Sequence, residues 1–447
     1  MELKSVQHEI RDAVQTPDTS RSFVVCEQNQ DSISMSETLK QKKLYRIFFL
    51  LGIGALLPFN CIIVPVDFWL MFYNPIFLSA AALSFNAGDW IVTLYMMING
   101  YKHNKNTIMI TALTTWLVSL IIIPVLHPII QDVLLKTIIT LIPIVCCGMA
   151  NGLYFPTVLD MGCKLGPLNA QAMMAGNGIA GLVTQFLLIL IKGIVTGAKV
   201  SQGQYNKTLF YQTLIYFILG ASYIVFCFFV WAKLKPTINQ YDMSIKDNSN
   251  EDQKEEKSSF VKVFKMIIIP SLSIFSIFAI TLAIFPTIIA PIPFNTNAKK
   301  NALGSDNGWW NIGVMTTFMI FDWVGRQMPV FKWASACLNL KACLCLAVSR
   351  LVFFAVFLLE ALPKYVCDDH SCAKGPIIKS DTVTILTMIV FALSNGWLSS
   401  VTMMKYSSCV TKKVDGSLAA NIQTFMLKSG LLAGGLLSLG IAVPFSK

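Results

Sequence analysis

The chain has 447 residues, of which 55% are hydrophobic and only 13% are charged, about half the charged share of soluble domains. This composition excludes a soluble protein of two or three domains, because too few charges are available to cover the surfaces of such domains. The net charge of +11 would suggest a nucleic-acid partner for a soluble protein, but in so apolar a chain it indicates basic cytoplasmic loops, and we expect no nucleic acid.

The chain begins with a polar segment and continues with apolar ones. Residues 1–43 are rich in Ser, Thr, Gln and mixed charge, which predicts a disordered cytoplasmic tail. Each apolar segment is long enough for a helix that crosses the hydrocarbon core, which is about 30 Å thick and needs about 20 residues. The sequence therefore predicts an all-α membrane protein with eleven transmembrane helices, at 44–66, 75–98, 106–127, 134–159, 168–193, 208–232, 263–289, 309–331, 339–361, 381–404 and 416–443.

A long polar break at 233–262 divides these segments into six and five. We predict a bundle of six helices at 44–232, a cytoplasmic linker at 233–262 and a bundle of five helices at 263–447. If the N-terminus is cytoplasmic, the inside segments hold 23 Lys and Arg residues and the outside segments hold 9. This bias favours a cytoplasmic N-terminus, and the odd number of spans then places the C-terminus outside.

Two predicted outside loops carry residues that suit an extracytoplasmic compartment. Asn206–Lys207–Thr208 is a glycosylation sequon, so Asn206 is a candidate acceptor. Cys367 and Cys372 lie in another outside loop, where oxidising conditions permit a disulfide. A metal site between these cysteines is an alternative, although the spacing fits no standard zinc pattern, and unpaired loop residues are a third.

Charged residues inside the predicted spans each need a reason, because a charge at the bilayer centre costs about 2.5–3.5 kcal/mol on insertion scales. Asp322 and Arg326 lie four residues apart on one predicted helix, so their side chains share a face. They can neutralise each other, or they can present an acceptor and a donor fork to a polar solute. The spacing alone does not decide between these roles. Further candidates among the charges inside spans are Asp89, Arg350 and Lys428, with Asp160 near a cytoplasmic end.

Neutral polar and aromatic residues also occur within the apolar segments. The polar ones can cross-link helices or bind a solute, and they are Asn60, Asn177, Asn395 and Gln423. The aromatic ones could stack on a planar ring, and they are Phe59, Phe155, Trp323 and Trp397. The sequence GNGIAG at 176–181 matches a dinucleotide-binding pattern, but inside an apolar span it indicates close helix packing instead.

Short motifs recur along the chain in a recognisable order. The first segment contains GIGALLPFN at 52–60, the fifth MAGNGIAG at 174–181 and the seventh IFP at 284–286. The eighth contains FDWVGR at 321–326, and the tenth contains FALSNGWL at 391–398. Together these motifs resemble those of the equilibrative nucleoside transporters, and the resemblance extends from about residue 45 to residue 443.

The resemblance implies a major-facilitator-like arrangement of six plus five helices, with alternating access around a central site and no ATP hydrolysis. It implies that Phe59 and Asn60 line the site and that Asp322 and Arg326 hold the ribose or the base. We add Asn395 as a further substrate-binding candidate. The expected substrates are nucleosides and nucleobases, carried across the plasma membrane either by equilibration or with protons as a coupled partner. No cofactor is expected.

This sequence departs from the family pattern at four positions within its spans, one of which is Ala355, where the ninth-span motif often continues to a Pro. Many family members carry a Gln in the fourth span that contacts the base, and here the corresponding residue is Phe155. A phenyl ring packs against a base but cannot hydrogen-bond to its edge, which makes Phe155 a substrate-binding candidate with broad selectivity. Asp89 and Lys428 are also unexpected. They could neutralise each other, although nothing in the sequence places them in contact.

Other functions remain as alternatives at this stage. A carrier for a sugar or an amino acid is the nearest, followed by a membrane enzyme or a receptor. The four histidines lie in the tail, in loops or at a span end, which argues against haem, zinc or proton-relay chemistry: His8, His103, His127 and His370. The chain also lacks a Walker lysine loop, so we predict a transporter that is neither an enzyme nor an ATPase.

Overall fold

A computed structural model describes the chain at residues 19–73, 77–99, 103–197, 202–248, 259–285, 288–289, 292, 309–361, 363–368, 371–412 and 415–445. The chain divides into two compact units, Met1–Arg46 and Ile47–Lys447. The second unit holds all of the candidate site residues. It is helical throughout its described part, apart from one short hairpin.

In the described residues of the N-terminal half there are seven α-helices. They are α1 (Thr19–Ile63), α2 (Val66–Phe72), α3 (Phe77–Asn99), α4 (Lys105–Ile129), α5 (Val133–Lys164), α6 (Pro167–Gly197) and α7 (Gln202–Asn248). Side-chain caps fix two of their starts. Asn104 accepts a hydrogen bond from the backbone N–H of Asn106, and Asp132 accepts one from Leu135.

The part of the C-terminal half that the structure describes contains eight α-helices and a hairpin. The helices are α8 (Phe260–Met266), α9 (Ile268–Ile284), α10 (Trp309–Gln327), α11 (Lys332–Ala336), α12 (Leu340–Ser349), α13 (Leu351–Ala361), α14 (Asp381–Lys405) and α15 (Gly416–Phe445). Strands β1 (Pro363–Asp368) and β2 (Ser371–Pro376) pair antiparallel between α13 and α14. Their register places the backbones of Cys367 and Cys372 directly opposite each other. The disulfide remains a prediction.

The described helices turn apolar side chains outward. Ile91 is 60% exposed and Phe229 is 64% exposed, whereas Asp89 and Asn151 are buried. This arrangement reverses the pattern of soluble proteins and suits a lipid environment. Eight helices in the described residues are long and apolar enough to cross a membrane, and the bent pair α8 and α9 would make a ninth. The chain is a multi-pass membrane protein.

Each of the eleven predicted spans coincides with a helix or with a broken pair of helices. Two of these helices, α10 and α15, are not among the eight described as long and apolar enough to cross a membrane. The seventh predicted span bends by 71° between α8 and α9, where Pro270 in the first turn of α9 lacks the N–H that would continue a helix through the bend. The ninth predicted span breaks at Arg350, between α12 and α13.

Two predicted polar segments are partly helical. Helix α1 begins at Thr19, inside the predicted tail, and residues 19–43 contain neither Gly nor Pro to interrupt it. Helix α7 continues to Asn248, well into the predicted linker. An ion pair of 2.8 Å between Lys105 Nζ and Asp242 holds this extension against α4. Asn206 lies near the start of α7 rather than in a loop, and its glycosylation remains a prediction.

Most helix contacts join neighbours within one half of the chain. In the N-terminal half α3 and α4 pack on α5, α7 packs on α4, and α6 packs on α5. In the C-terminal half α9 packs on α15 and α10 packs on α14. The halves meet where α3 and α5 touch α15 and where α6 touches α10 and α14. The buried charges described next lie on these contacting helices.

Candidate functional site

The charged residues of α10 form a buried ion pair. Arg326 Nε donates to Asp322 Oδ2 over 2.7 Å, and both side chains are almost fully enclosed. One turn of helix separates the two residues, so the α-helix itself brings them together. The pair offsets most of the cost of placing either charge in an apolar interior.

A chain of hydrogen bonds connects Asp322 to two further helices. Asn395 Nδ2 of α14 donates to Asp322 Oδ1 over 2.6 Å. Thr281 Oγ1 of α9 donates to Asn395 Oδ1 over 2.7 Å. Both carboxylate oxygens of Asp322 therefore have a donor, and Asn395 acts as the link that orients the carboxylate. Direct contact between Asn395 and a substrate remains a prediction.

Arg326 connects α10 to α6 in the other half of the chain. One of its Nη atoms donates to the backbone oxygen of Met174 over 3.3 Å, and Gln171 Nε2 donates to the backbone oxygen of Arg326 over 2.7 Å. A Cβ atom at Gly178 would come within 2.8 Å of Arg326 Cδ, so the glycine makes room for this side chain. In the described part of the chain the second Nη of Arg326 has no recorded acceptor, which leaves donors for a solute.

Glycines bring the backbones of α10 and α14 unusually close beside this network. A Cβ atom at Gly396 would collide with the backbone oxygen of Asp322, and one at Gly325 would collide with that of Leu393. Small residues allow membrane helices to approach in this way. The close contact places Asn395, the residue directly before Gly396, within hydrogen-bonding distance of Asp322.

A second buried ion pair joins the two halves of the chain. Lys428 Nζ of α15 lies 2.6 Å from Asp89 Oδ2 of α3. Asp89 also accepts hydrogen bonds from Asn151 Nδ2 over 2.8 Å and from Thr93 Oγ1 over 3.3 Å. The Lys428 ammonium lies 4.8 Å from the centre of the Phe155 ring. The two charges that the sequence left unexplained therefore neutralise each other.

Several buried polar atoms lack a hydrogen-bond partner in the described residues, and four of them belong to residues near the predicted site. These four are Asn60 Nδ2 on α1, Asn151 Oδ1 on α5, Asn177 Oδ1 on α6 and Trp323 Nε1 on α10. Each unsatisfied buried group costs about 1–3 kcal/mol. A polar solute that contacts these atoms would recover this free energy.

The predicted site residues fall into three groups in the structure. Asp322, Arg326 and Asn395 form one network, as the preceding contacts show. Phe155 belongs to the Asp89–Lys428 cluster. Phe59 packs on Phe85 of α3, with ring centres 4.9 Å apart, and its neighbour Asn60 is buried; within the described residues no recorded contact joins them to the other groups.

Other polar residues that the sequence suggested act in helix packing. Trp397 Nε1 donates to the backbone oxygen of Ala334. Gln423 is bonded to Ser271 and to the backbone oxygen of Pro270, which joins α15 to α9. Arg350 donates to Ser394 and to the backbone oxygens of residues 277 and 391, and so joins α9 and α14 at the break between α12 and α13.

Several contributors to the networks were not predicted, among them Asn151, Gln171 and Thr281. Asn151 lies one helical turn before Phe155, so its position on the same face was available as a signal. Gln171 and Thr281 carried no such signal, because a single polar residue in an apolar helix most often serves packing.

Comparison with solved structures identifies the class of fold. The chain is similar to the Escherichia coli fucose:proton symporter, with a TM-score of 0.53 and 12% identity over 92% of this chain and 98% of that one. It is equally similar to the proton:xylose symporter XylE, with a TM-score of 0.53 and 12% identity over 91% of this chain and 90% of that one. The chain therefore has an all-helical fold like that of these major facilitator transporters.

Comparison of sequences finds transporters that are similar to this chain. Residues 236–443 match the family model described as nucleoside transporter. Equilibrative nucleotide transporter 8 of Arabidopsis thaliana is 24% identical over 88% of this chain and 93% of its own length. Equilibrative nucleoside transporter 1 of Mus musculus is 23% identical over 89% of this chain and 96% of its own length. The chain is thus similar to equilibrative nucleoside and nucleotide transporters over most of its length.

Proposed function

We propose that this chain carries nucleosides, and nucleobases as a further substrate class, across a membrane by alternating access. The observation that carries this proposal is the buried Asp322–Arg326 pair, which lies where α10 meets α6 of the other half and keeps donors available. Similarity to named nucleoside and nucleotide transporters over most of the chain supports the same assignment.

The chemistry of the site suits a nucleoside. Ribose hydroxyl groups both donate and accept hydrogen bonds, so they can bind to the free donors of Arg326 and to a remaining lone pair of Asp322. The apolar and aromatic surfaces of Phe155 and Trp323 can pack against a flat base. Binding at the junction of the two halves allows the substrate to favour their closure around it.

The proposed topology has eleven spans in six-plus-five arrangement, a cytoplasmic N-terminus and an outside C-terminus in the plasma membrane. The excess of Lys and Arg in alternate loops supports this orientation. A protease-cleavable tag inserted in 249–258 should be cut only from the cytoplasmic side, and a tag after Lys447 only from outside. Cleavage of both tags from one side would contradict the odd number of spans.

Transport itself is tested with purified protein in liposomes. Labelled uridine or adenosine should enter the vesicles without ATP, and unlabelled nucleosides should compete, whereas fucose, xylose and amino acids should not. Parallel measurements with and without an imposed proton gradient determine whether transport is equilibrative or proton-coupled. Uptake of a sugar or an amino acid in place of nucleosides would contradict the proposal.

A further inference from the structure

Lys428 is a buried cation with no role in the mechanism proposed above. It lies on α15, is only 7% exposed, and forms its ion pair with Asp89 across the junction of the two halves. A buried ion pair of this kind is not in itself stabilising, because the desolvation of two charges offsets most of their attraction. The stability of the helix packing therefore does not by itself explain why this ion pair is present.

The hydrogen bonds of the pair are unevenly distributed. Asp89 receives donors from Lys428, Asn151 and Thr93, which satisfies its carboxylate. The Lys428 ammonium has three N–H donors, and in the described part of the chain its recorded acceptor is Asp89 alone. Asp89 is thus a positioning residue that holds the ammonium, and the ammonium retains donors that can reach another molecule.

The position of this ammonium is close to the expected base. It lies 4.8 Å from the centre of the Phe155 ring, at the position where the family resemblance places a base contact. Asn151 lies one turn before Phe155 on α5 and presents a buried Oδ1 without a hydrogen-bond donor. A cationic donor and a neutral acceptor therefore lie beside the ring that cannot itself hydrogen-bond to a base.

We propose that Lys428 determines base specificity by donating to the base edge, and that the carrier prefers bases with a carbonyl there over bases with an amino group. This proposal rests on the proposed transport function. It revises the sequence-based expectation of broad selectivity, because the donor missing at Phe155 is supplied from α15.

The preference follows from the electrostatics of the base edge. Hypoxanthine, guanine and uracil present a carbonyl oxygen next to a ring N–H, which complement the Lys428 ammonium and the Asn151 Oδ1. Lysine recognises the O6 and N7 acceptors of guanine in other settings by the same attraction. Adenine and cytosine carry an exocyclic amino group in place of that oxygen, and its N–H groups repel a cationic donor.

The unaltered protein provides the first test. Competition for labelled nucleoside uptake is measured with two matched pairs, inosine against adenosine and uridine against cytidine, which differ in one oxo or amino group. The oxo member of each pair should inhibit at a concentration about tenfold lower than the amino member, which corresponds to one well-placed hydrogen bond to the base. Equal inhibition within both pairs, or a preference for the amino members, would overturn the proposal.

A double variant assigns the preference to the ion pair. Lys428→Met with Asp89→Asn removes both charges together and leaves no unpaired charge in the interior. Two neighbouring contacts between α3 and α15 persist, since Trp90 donates to Ser429 over 3.0 Å and Asn421 donates to the backbone oxygen of Met96 over 2.8 Å. The ratio of the inhibitory concentrations of the amino and oxo nucleosides in each pair should fall to about one, mainly through a higher KM for the oxo nucleosides. An unchanged ratio would contradict the assignment.

A matched control is the partly exposed pair of α4 and α7. Lys105→Met with Asp242→Asn makes the same two changes outside the site and should leave the ratio unchanged. If the Asp89 and Lys428 double variant does not fold, Lys428→Gln replaces it and should lower the ratio in the same direction. Transport of nucleosides without a preference would contradict this inference alone, whereas no nucleoside transport at all would contradict the proposed function and the inference with it.

Discussion

Replacing Asp322 by Asn, or Arg326 by Ala, is expected to abolish nucleoside uptake while folded protein remains in the membrane. Each substitution removes a group proposed to bind the ribose or the base, and it also leaves the partner charge buried without compensation. Breaking a buried pair in this way costs about 3–5 kcal/mol, so a lower thermal stability is expected as well. Uptake per molecule of folded protein, measured after size-exclusion chromatography, separates loss of binding from loss of fold.

The ion pair between Lys105 and Asp242 serves as the control for these substitutions. Its side chains are 21% and 40% exposed, and such pairs contribute about 0–1 kcal/mol to stability. Lys105→Ala and Asp242→Asn should therefore retain most of the uptake. Normal uptake by folded Arg326→Ala protein would show that the Asp322–Arg326 pair is structural and that the substrate binds elsewhere.

Gly396→Ala is expected to reduce both stability and transport strongly, although it adds only one methyl group. The new Cβ atom would collide with the backbone of Asp322 and lie 2.8 Å from the backbone nitrogen of Arg326. Neither of these atoms can move without displacing α10 from α14, which would also break the hydrogen bond from Asn395 to Asp322. Overpacking of this kind typically costs about 1–3 kcal/mol.

Gly435→Ala provides the matched control, since a Cβ atom at Gly435 on α15 has nothing within 4 Å. That substitution should be neutral, or stabilising by up to about 1 kcal/mol, because Ala favours a helix more than Gly does. Thermal unfolding in detergent and uptake in liposomes measure the two effects. Equal behaviour of the two variants would show that α10 and α14 are less closely packed than the structure indicates.

The positions of the helices could be predicted from the sequence because the length of an apolar segment is a local property of the chain. Each predicted span falls on a helix or a broken pair, and the contact between Asp322 and Arg326 followed from their spacing on one helix. The break at Arg350 was not predicted, because the surrounding residues are apolar on both sides. The extension of α7 was missed because its contact with Lys105 lies far away in the sequence.

Contacts between distant helices account for the rest of the site. The sequence shows that Asp89 and Lys428 are charges inside apolar spans, where a charge is unfavourable. It does not show which helices are in contact, so only the structure reveals that these two residues form an ion pair. The same holds for Asn395, whose alignment with Asp322 depends on the close approach of two helices at Gly396. Charges of opposite sign within different spans are thus signals of contacts that sequence patterns alone do not locate.

Countertransport is the measurement that tests the central claim most directly. Liposomes containing the purified protein are loaded with unlabelled nucleoside and diluted into a trace of labelled nucleoside. A carrier that alternates between two orientations should accumulate label transiently above its equilibrium level, because the outward flow of unlabelled substrate returns empty sites to the outside. Label that only rises to equilibrium at the same rate in loaded and empty vesicles, or that does not enter at all, would contradict nucleoside transport by alternating access.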